Sequence, residues 1–204
     1  MEISIFTVDA FTNLPFKGNP AAVCPLMHEL TDDLYQKIAA EMSLSETAFI
    51  TRINSSDTFT TGSRFHLRWF SPITEVNLCG HATLASASVL FKHMKNENPV
   101  VVFETRGGDL AVSQRGDSYI MDFPLNPPMK QDPNEFSDTI KVSKILQAPP
   151  LSAIVGNNPV QDVCLNTNTK KLMIRLDDSC ERFSRLPARI RLLLQILCSM
   201  GRYP

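Results

Sequence analysis

The run Gly80-His81-Ala82-Thr83-Leu84-Ala85-Ser86-Ala87-Ser88-Val89-Leu90 restricts the fold more than any other part of this sequence. Read as a helix from about His81, its sides are small or apolar nearly all the way round, whereas a surface helix keeps a polar face. Such a helix has little to show to water, so other elements must enclose it. Strand-like segments surround it in the sequence. Ile3, Ile5 and Thr7 alternate with Ser4, Phe6 and Val8; Gly18-Asn19-Pro20 breaks the chain; Ala21 to Pro25 gives a second strand. Thr47 to Arg52 and the alternating Phe65, Leu67 and Trp69 predict two more. Val100 to Glu104, Asp109 to Gln114 and Tyr119 to Phe123 follow, with Gly107-Gly108 and Gly116-Asp117 as turns. A first helix opens at Thr31, a capping residue followed by Asp32 and Asp33 at the positive helix end. Leu34, Ile38 and Met42 recur along one of its faces.

The segment from 124 to 135, PLNPPMKQDPNE, holds four prolines, which remove backbone donors and fix φ. It is expected to be an extended connector between a first lobe at 1–123 and a second lobe beginning at 136. Strands are expected there at Leu151 to Val155, Gln161 to Leu165 and Lys171 to Leu176. GNPAAV in the first lobe and GNNPVQDV in the second echo each other weakly. From 178 to 204 the texture changes to an arginine-containing tail with an apolar burst, expected to form a short amphipathic helix after Pro187.

Function classes narrow quickly. A net charge of -1, with 43% hydrophobic and 20% charged residues, describes an ordinary globular protein and demands neither nucleic acid nor an anionic membrane. Five cysteines, an odd number without close even spacing, read as reduced thiols. With no basic, apolar leader at the start, the expected location is cytoplasmic.

Two places carry chemistry. At the mouth of the small-faced helix, backbone N–H groups and the positive dipole end attract anions, and Gly80 lets a ligand approach, so Cys79-Gly80-His81 could cradle a carboxylate. The same field keeps His81 neutral. A capping or core histidine is the plainer alternative. The second place is Leu44-Ser45-Glu46-Thr47. Ser43 and Glu46 have capping-box spacing, but the β-formers AFITR follow instead of a helix, which favours a carboxylate at a strand edge. A partly buried glutamate there could exchange a proton near neutral pH; an exposed loop acid is the alternative. The histidines and cysteines lack the spaced pairs that hold zinc, so no metal is expected. The phosphate-cradling glycine motifs and the G-x-S-x-G elbow are absent from the sequence. What survives is acid/base work without a cofactor.

Three stretches in order, VDAFTNLPFKGNPAAV (8–23), QKIAAEMSLSETAFI (36–50) and RWFSPITEVNLCGHATLASA (68–87), resemble the phenazine-biosynthesis-like (PhzF-type) family, over roughly residues 1 to 177. The resemblance implies an α+β, diaminopimelate-epimerase-like fold: two lobes, each a curved sheet wrapped round a central helix, with a cleft between them. It implies Glu46 as the acid/base and His81 as a substrate-site histidine, with Asn19, Gly80 and Cys79 shaping the pocket for a small carboxylate or amino-acid-like substrate, and no cofactor. Epimerase relatives use paired cysteines, which makes Cys79 a second candidate, but no later cysteine here stands in a matching C-G motif.

Family members carry a D-P-x-T-G-S-A-like segment on the facing wall of the cleft, and this sequence has none. The expectation is a truncated or alternative form with an incomplete second lobe (136–177), whose half-built cleft forfeits several kcal/mol of positioning and electrostatic stabilisation. The competing expectation is a non-catalytic binding or regulatory protein that uses the first lobe as an interaction surface. A homodimer is the expected assembly.

Overall fold

The computed structural model describes residues 2–131, 155, 158–166, 171–177 and 179. It has two compact units, one holding Met1–Phe123 and another starting at Pro124.

In the first unit the strands are β1 (Phe6–Ala10), β2 (Asn19–Leu26), β3 (Thr47–Arg52), β4 (Arg64–Phe70), β5 (Glu75–Val76), β6 (Val100–Thr105), β7 (Gly108–Arg115) and β8 (Ser118–Met121); the helices are α1 (Asp32–Met42) and α2 (Gly80–Ser88). One sheet orders the strands β1-β2-β3-β4-β6-β7-β8, with β5 added beside β4. Most neighbours are antiparallel. The two parallel pairs are β2 with β3, where Ala22 faces Thr47, and β4 with β6, where Arg64 faces Val102. Each needs a crossover, and the crossovers are α1 and α2. Both advance in the same direction across the sheet, but β4 runs antiparallel to β3. Two right-handed crossovers so arranged put their helices on opposite faces.

Packing bears this out. Cys24, Leu26, Phe49 and Phe70 point to the face covered by Tyr35 and Ala39 of α1. Their sequence neighbours Val23, Ala48, Ile50 and Trp69 point the other way, into a core with Ala82, Ala85 and Ala87 of α2. β2 and β3 are therefore buried on both faces. The α2 core also draws Val101 and Phe103 from β6, Leu110 and Val112 from β7, and the partly buried Phe6, Val8, Tyr119 and Met121 from the two edge strands. A helix about 10 Å across can touch only two or three strands of a flat sheet with strands about 4.8 Å apart. Eight strands contributing to one cluster around one helix require the sheet to curve around it. The expected α+β architecture, a curved sheet round a central helix, is the one found.

Small side chains in α2 are what that enclosure demands. Its two buried hydroxyls are satisfied internally: Thr83 Oγ1 donates to the Cys79 carbonyl at 2.6 Å and Ser86 Oγ to the Ala82 carbonyl at 2.7 Å. Beyond Ser88 the helix widens, and Met94 N donates to the Val89 carbonyl five residues back.

α1 is a conventional surface helix. Thr31 caps it, accepting from Leu34 N, and Ser43 ends it in the left-handed conformation. Its deepest residues are Tyr35 and Ala39, one position along from the expected Leu34, Ile38 and Met42 stripe, which is only half buried. Tyr35 supplies the reason: its ring packs 4.6 Å from Phe49 and 5.3 Å from Phe70. The expected start of the first strand is also corrected, because Ile3 and Ile5 precede β1.

The second unit contains β9 (Met129–Gln131), β10 (Val160–Asn166) and β11 (Lys171–Leu176), an antiparallel sheet in the order β11-β10-β9. Val163, Leu165 and Leu172 form its small core. β9 lies within the proline-rich segment and pairs with β10, so part of that stretch is sheet. Asn19-Pro20 opens β2, and the echoing Asn158-Pro159 immediately precedes β10. Of the strand expected at Leu151 to Val155, only Val155 is described and it is helical; the rest of that strand and the tail helix lie outside the described residues. No helix among the described residues is long and apolar enough to cross a membrane.

Candidate active site

The site forms where three chain segments end at one place: the start of β2, the start of β3 and the mouth of α2. Gly18 sets up the first. A Cβ at position 18 would lie 2.3 Å from the Ala10 carbonyl oxygen, so only glycine lets the chain turn back this tightly against β1 before Asn19 and Pro20. Asn19, half buried, begins β2 opposite Ala10. Glu46 immediately precedes β3, and its carbonyl accepts from Ala22 N at 3.2 Å, which ties its backbone to β2. Cys79 occupies the N-cap of α2 in an extended conformation and makes no side-chain cap, and the first turn carries no acid. The helix mouth therefore presents its amide end without a built-in carboxylate.

The side chains converge there. His81 is fully buried, Glu46 is 4% exposed and Cys79 5%. His81 Nε2 lies 3.4 Å from Glu46 Oε2 and 3.4 Å from Ser45 Oγ, while Nδ1 lies 3.3 Å from Cys79 Sγ. Burial lowers the His81 pKa from 6.5 to about 4, against a smaller opposing pull from a backbone hydrogen bond with Pro20. The imidazole is neutral at physiological pH, as expected, but desolvation is the leading cause rather than the helix field. One ring nitrogen then donates and the other accepts.

The structure thus brings Glu46, Cys79 and His81 together, with Gly80 between the last two. At Gly80 a Cβ would meet Phe123 at 3.5 Å and Met121 at 3.7 Å, ordinary contacts, so the glycine keeps the mouth unobstructed without being sterically required. Neither the capping-box reading of Glu46 nor the exposed-acid reading survives: it leads into a strand and is buried. Sequence reasoning missed Ser45 and the Pro20 backbone. Ser45 adjoins Glu46 in the quoted motif, which was the available signal; the Pro20 contact has none. In donor chemistry, Glu46, Cys79 and His81 could hold a metal ion, since one ligand atom from each lies within 4.8 Å of the others.

The opposite face is electrostatically separate. Arg68 makes a two-pronged contact with Glu75 at 2.8 Å and another with Asp32 at 2.8 Å, with its guanidinium 4.9 Å over the Tyr35 ring. These acids raise the Arg68 pKa further, fixing a structural cation on the α1 side.

Comparison with known proteins agrees with this fold. Residues 8–200 match the family described as phenazine biosynthesis-like protein. The chain is 48% identical over 182 residues to mouse phenazine biosynthesis-like domain-containing protein 1, covering 89% of this chain and 59% of that protein. It is 51% identical over 128 residues to an uncharacterized isomerase of Pseudomonas aeruginosa, covering 63% of this chain and 46% of that protein. A crystal structure of a phenazine biosynthesis PhzF-family protein from Enterococcus faecalis superimposes with a TM-score of 0.64 at 34% identity, covering 88% of this chain and 59% of that one. The chain therefore spans about three fifths of the mouse relative's length. A curved sheet enclosing a small-faced helix, a buried acid beside that helix's mouth, and a match running through nearly the whole sequence lead to one conclusion: the chain belongs to the phenazine biosynthesis-like protein family.

Proposed function

We propose that this chain carries the acid/base half of an isomerase-type site, which moves a proton within a small carboxylate or amino-acid-like substrate without a cofactor. One observation carries the reading: the Glu46 carboxylate stands 3.4 Å from a buried, neutral imidazole at the mouth of α2. Glu46 takes the proton from a carbon made acidic by the substrate's neighbouring groups and returns it to another position. His81 orients the substrate by hydrogen bonding and, being uncharged, does not quench the carboxylate as an ion pair would. The substrate carboxylate sits against the amide end of α2 at Gly80, with Asn19 at its edge and Cys79 lining the floor. The isomerase designation of the Pseudomonas relative supports the reaction class. We place the protein in the cytoplasm as a homodimer.

A second reading is a non-catalytic protein that binds a partner through the first unit. Exposed apolar side chains favour it: Phe16 is 95% exposed and Ile73 83%, with Phe11 and Leu14 also uncovered.

The deciding experiment incubates the protein in deuterated water with a panel of small cyclic and acyclic amino acids and follows substrate deuteration. The acid/base reading expects exchange with the native protein and a loss of at least about a hundredfold in Glu46→Gln. Equal exchange in both removes Glu46 from the mechanism, and no exchange in either favours the binding reading.

A further inference from the structure

The thiol of Cys79, the imidazole of His81 and the carboxylate of Glu46 can be arranged in two ways that the pairwise contacts alone do not separate. In a linear relay the thiol and the carboxylate would lie along the opposed nitrogen directions of the ring. Sulfur and carboxylate would then occupy opposite edges of the imidazole, separated by the ring and two contacts. Instead, one ligand atom from each of the three residues lies within 4.8 Å of the other two. Sulfur and carboxylate lean toward the same side. Three donor atoms gathered this closely can serve as a ligand set.

We propose that Cys79, His81 and Glu46 form a binding site for a divalent cation of the zinc class. A mixed sulfur, nitrogen and oxygen set suits zinc, cadmium or cobalt(II), and does not suit magnesium or calcium, which take shells of oxygen. Zinc bonds of about 2.3 Å to sulfur and 2.0–2.1 Å to nitrogen, set at a tetrahedral angle, put those two atoms about 3.5 Å apart. Cys79 Sγ and His81 Nδ1 are 3.3 Å apart. The carboxylate contact of 3.4 Å is to the other nitrogen, so loading requires a side-chain movement, by Glu46 toward Nδ1 or by Cys79 toward Nε2. The backbone positions are already fixed by β3 and α2. Three protein ligands leave the fourth position for water, the composition of an open site rather than a closed structural one.

The spacing Cys-x-His hides this site in the sequence, because the third donor arrives from a different element. Occupation engages Glu46 and His81 together, so the cation acts as an inhibitor of the acid/base chemistry proposed above. Binding itself does not depend on that chemistry.

Cobalt(II) titrated into the 204-residue chain at neutral pH tests the site. The expected result is a thiolate-to-cobalt charge-transfer band saturating near one ion per chain and displaced by zinc. Cys79→Ser abolishes the band; Glu46→Gln keeps it and weakens the midpoint by at least about tenfold. Since a substituted helix mouth can misfold, the native protein carries a second readout. Bound zinc slows alkylation of Cys79, located by peptide mass mapping, by at least about tenfold. Absence of a thiolate band overturns the proposal. So does a band unchanged in folded Cys79→Ser, or alkylation of Cys79 at the same rate with and without zinc.

Discussion

α1 and α2 do the same topological job, each carrying the chain between two parallel strands, yet they are built on opposite terms. α1 closes its own ends: Thr31 caps it and Ser43 terminates it. Its exposed side carries Lys37 and Asp33 in an ion pair at 2.7 Å. α2 has no side-chain cap and no charge in its first or last turn, and it is enclosed by the sheet. A helix stabilised locally can be attached to the outside of a sheet and left alone. A helix stabilised only by its enclosure keeps its N-terminal amides available to the site, and those amides lie beside Glu46.

Overpacking should separate the two helices most strongly. Ala85→Leu in α2, at a position 1% exposed, is expected to cost about 3 kcal/mol or to prevent folding, whereas Ala40→Leu on the exposed side of α1 stays within about 0.5 kcal/mol. Urea unfolding measures both, and equal costs would break the contrast. The pH dependence comes next. The His81 pKa is near 6.5 when unfolded and about 4 when folded, so between those values the unfolded chain binds more protons. Stability is therefore complete above about 6.5 and falls as pH drops toward 4, by on the order of 3 kcal/mol, then levels off for this group. His81→Gln should remove that dependence. On the α1 side the window differs. The Arg68 guanidinium holds the Asp32 carboxyl below its ordinary 3.8, so that contribution is present above 3.8 and lost only as pH falls below it. A smaller effect is expected from Thr31→Ala, about 1 kcal/mol through the lost cap. Smallest of all, Lys37→Ala should change stability by less than about 0.5 kcal/mol, because the ion pair with Asp33 is solvent-exposed.

How far the sequence revealed this structure follows the range of the interactions. Thr47–Arg52 and Lys171–Leu176 were legible to the residue, since β-branched and apolar alternation is local. So was the Thr31 cap. β5, two residues long, exists only because β4 passes beside it, and β9 only because β10 does; proline-rich sequence gives no local sign of that pairing. The shifted face of α1 has the same origin, as Tyr35 is buried by aromatic partners from β3 and β4 rather than by helical periodicity. For the site, the helix mouth announced itself through small residues, but the meeting of Ser45 and Glu46 with His81 spans more than thirty positions. Pattern alone could offer each residue only with its plainer alternative, and family resemblance joined them.

At the centre of the proposed site, inside the first unit, a neutral imidazole is held against a carboxylate. Nitrogen-15 NMR of His81 across a pH titration tests it most directly, with Glu46→Gln recorded alongside. The prediction is a ring that stays neutral from pH 8 to about 5, protonates near 4, and changes its nitrogen shifts when Glu46 is replaced. Protonation near 6.5, with spectra indifferent to the substitution, would contradict both the burial of His81 and its pairing with Glu46.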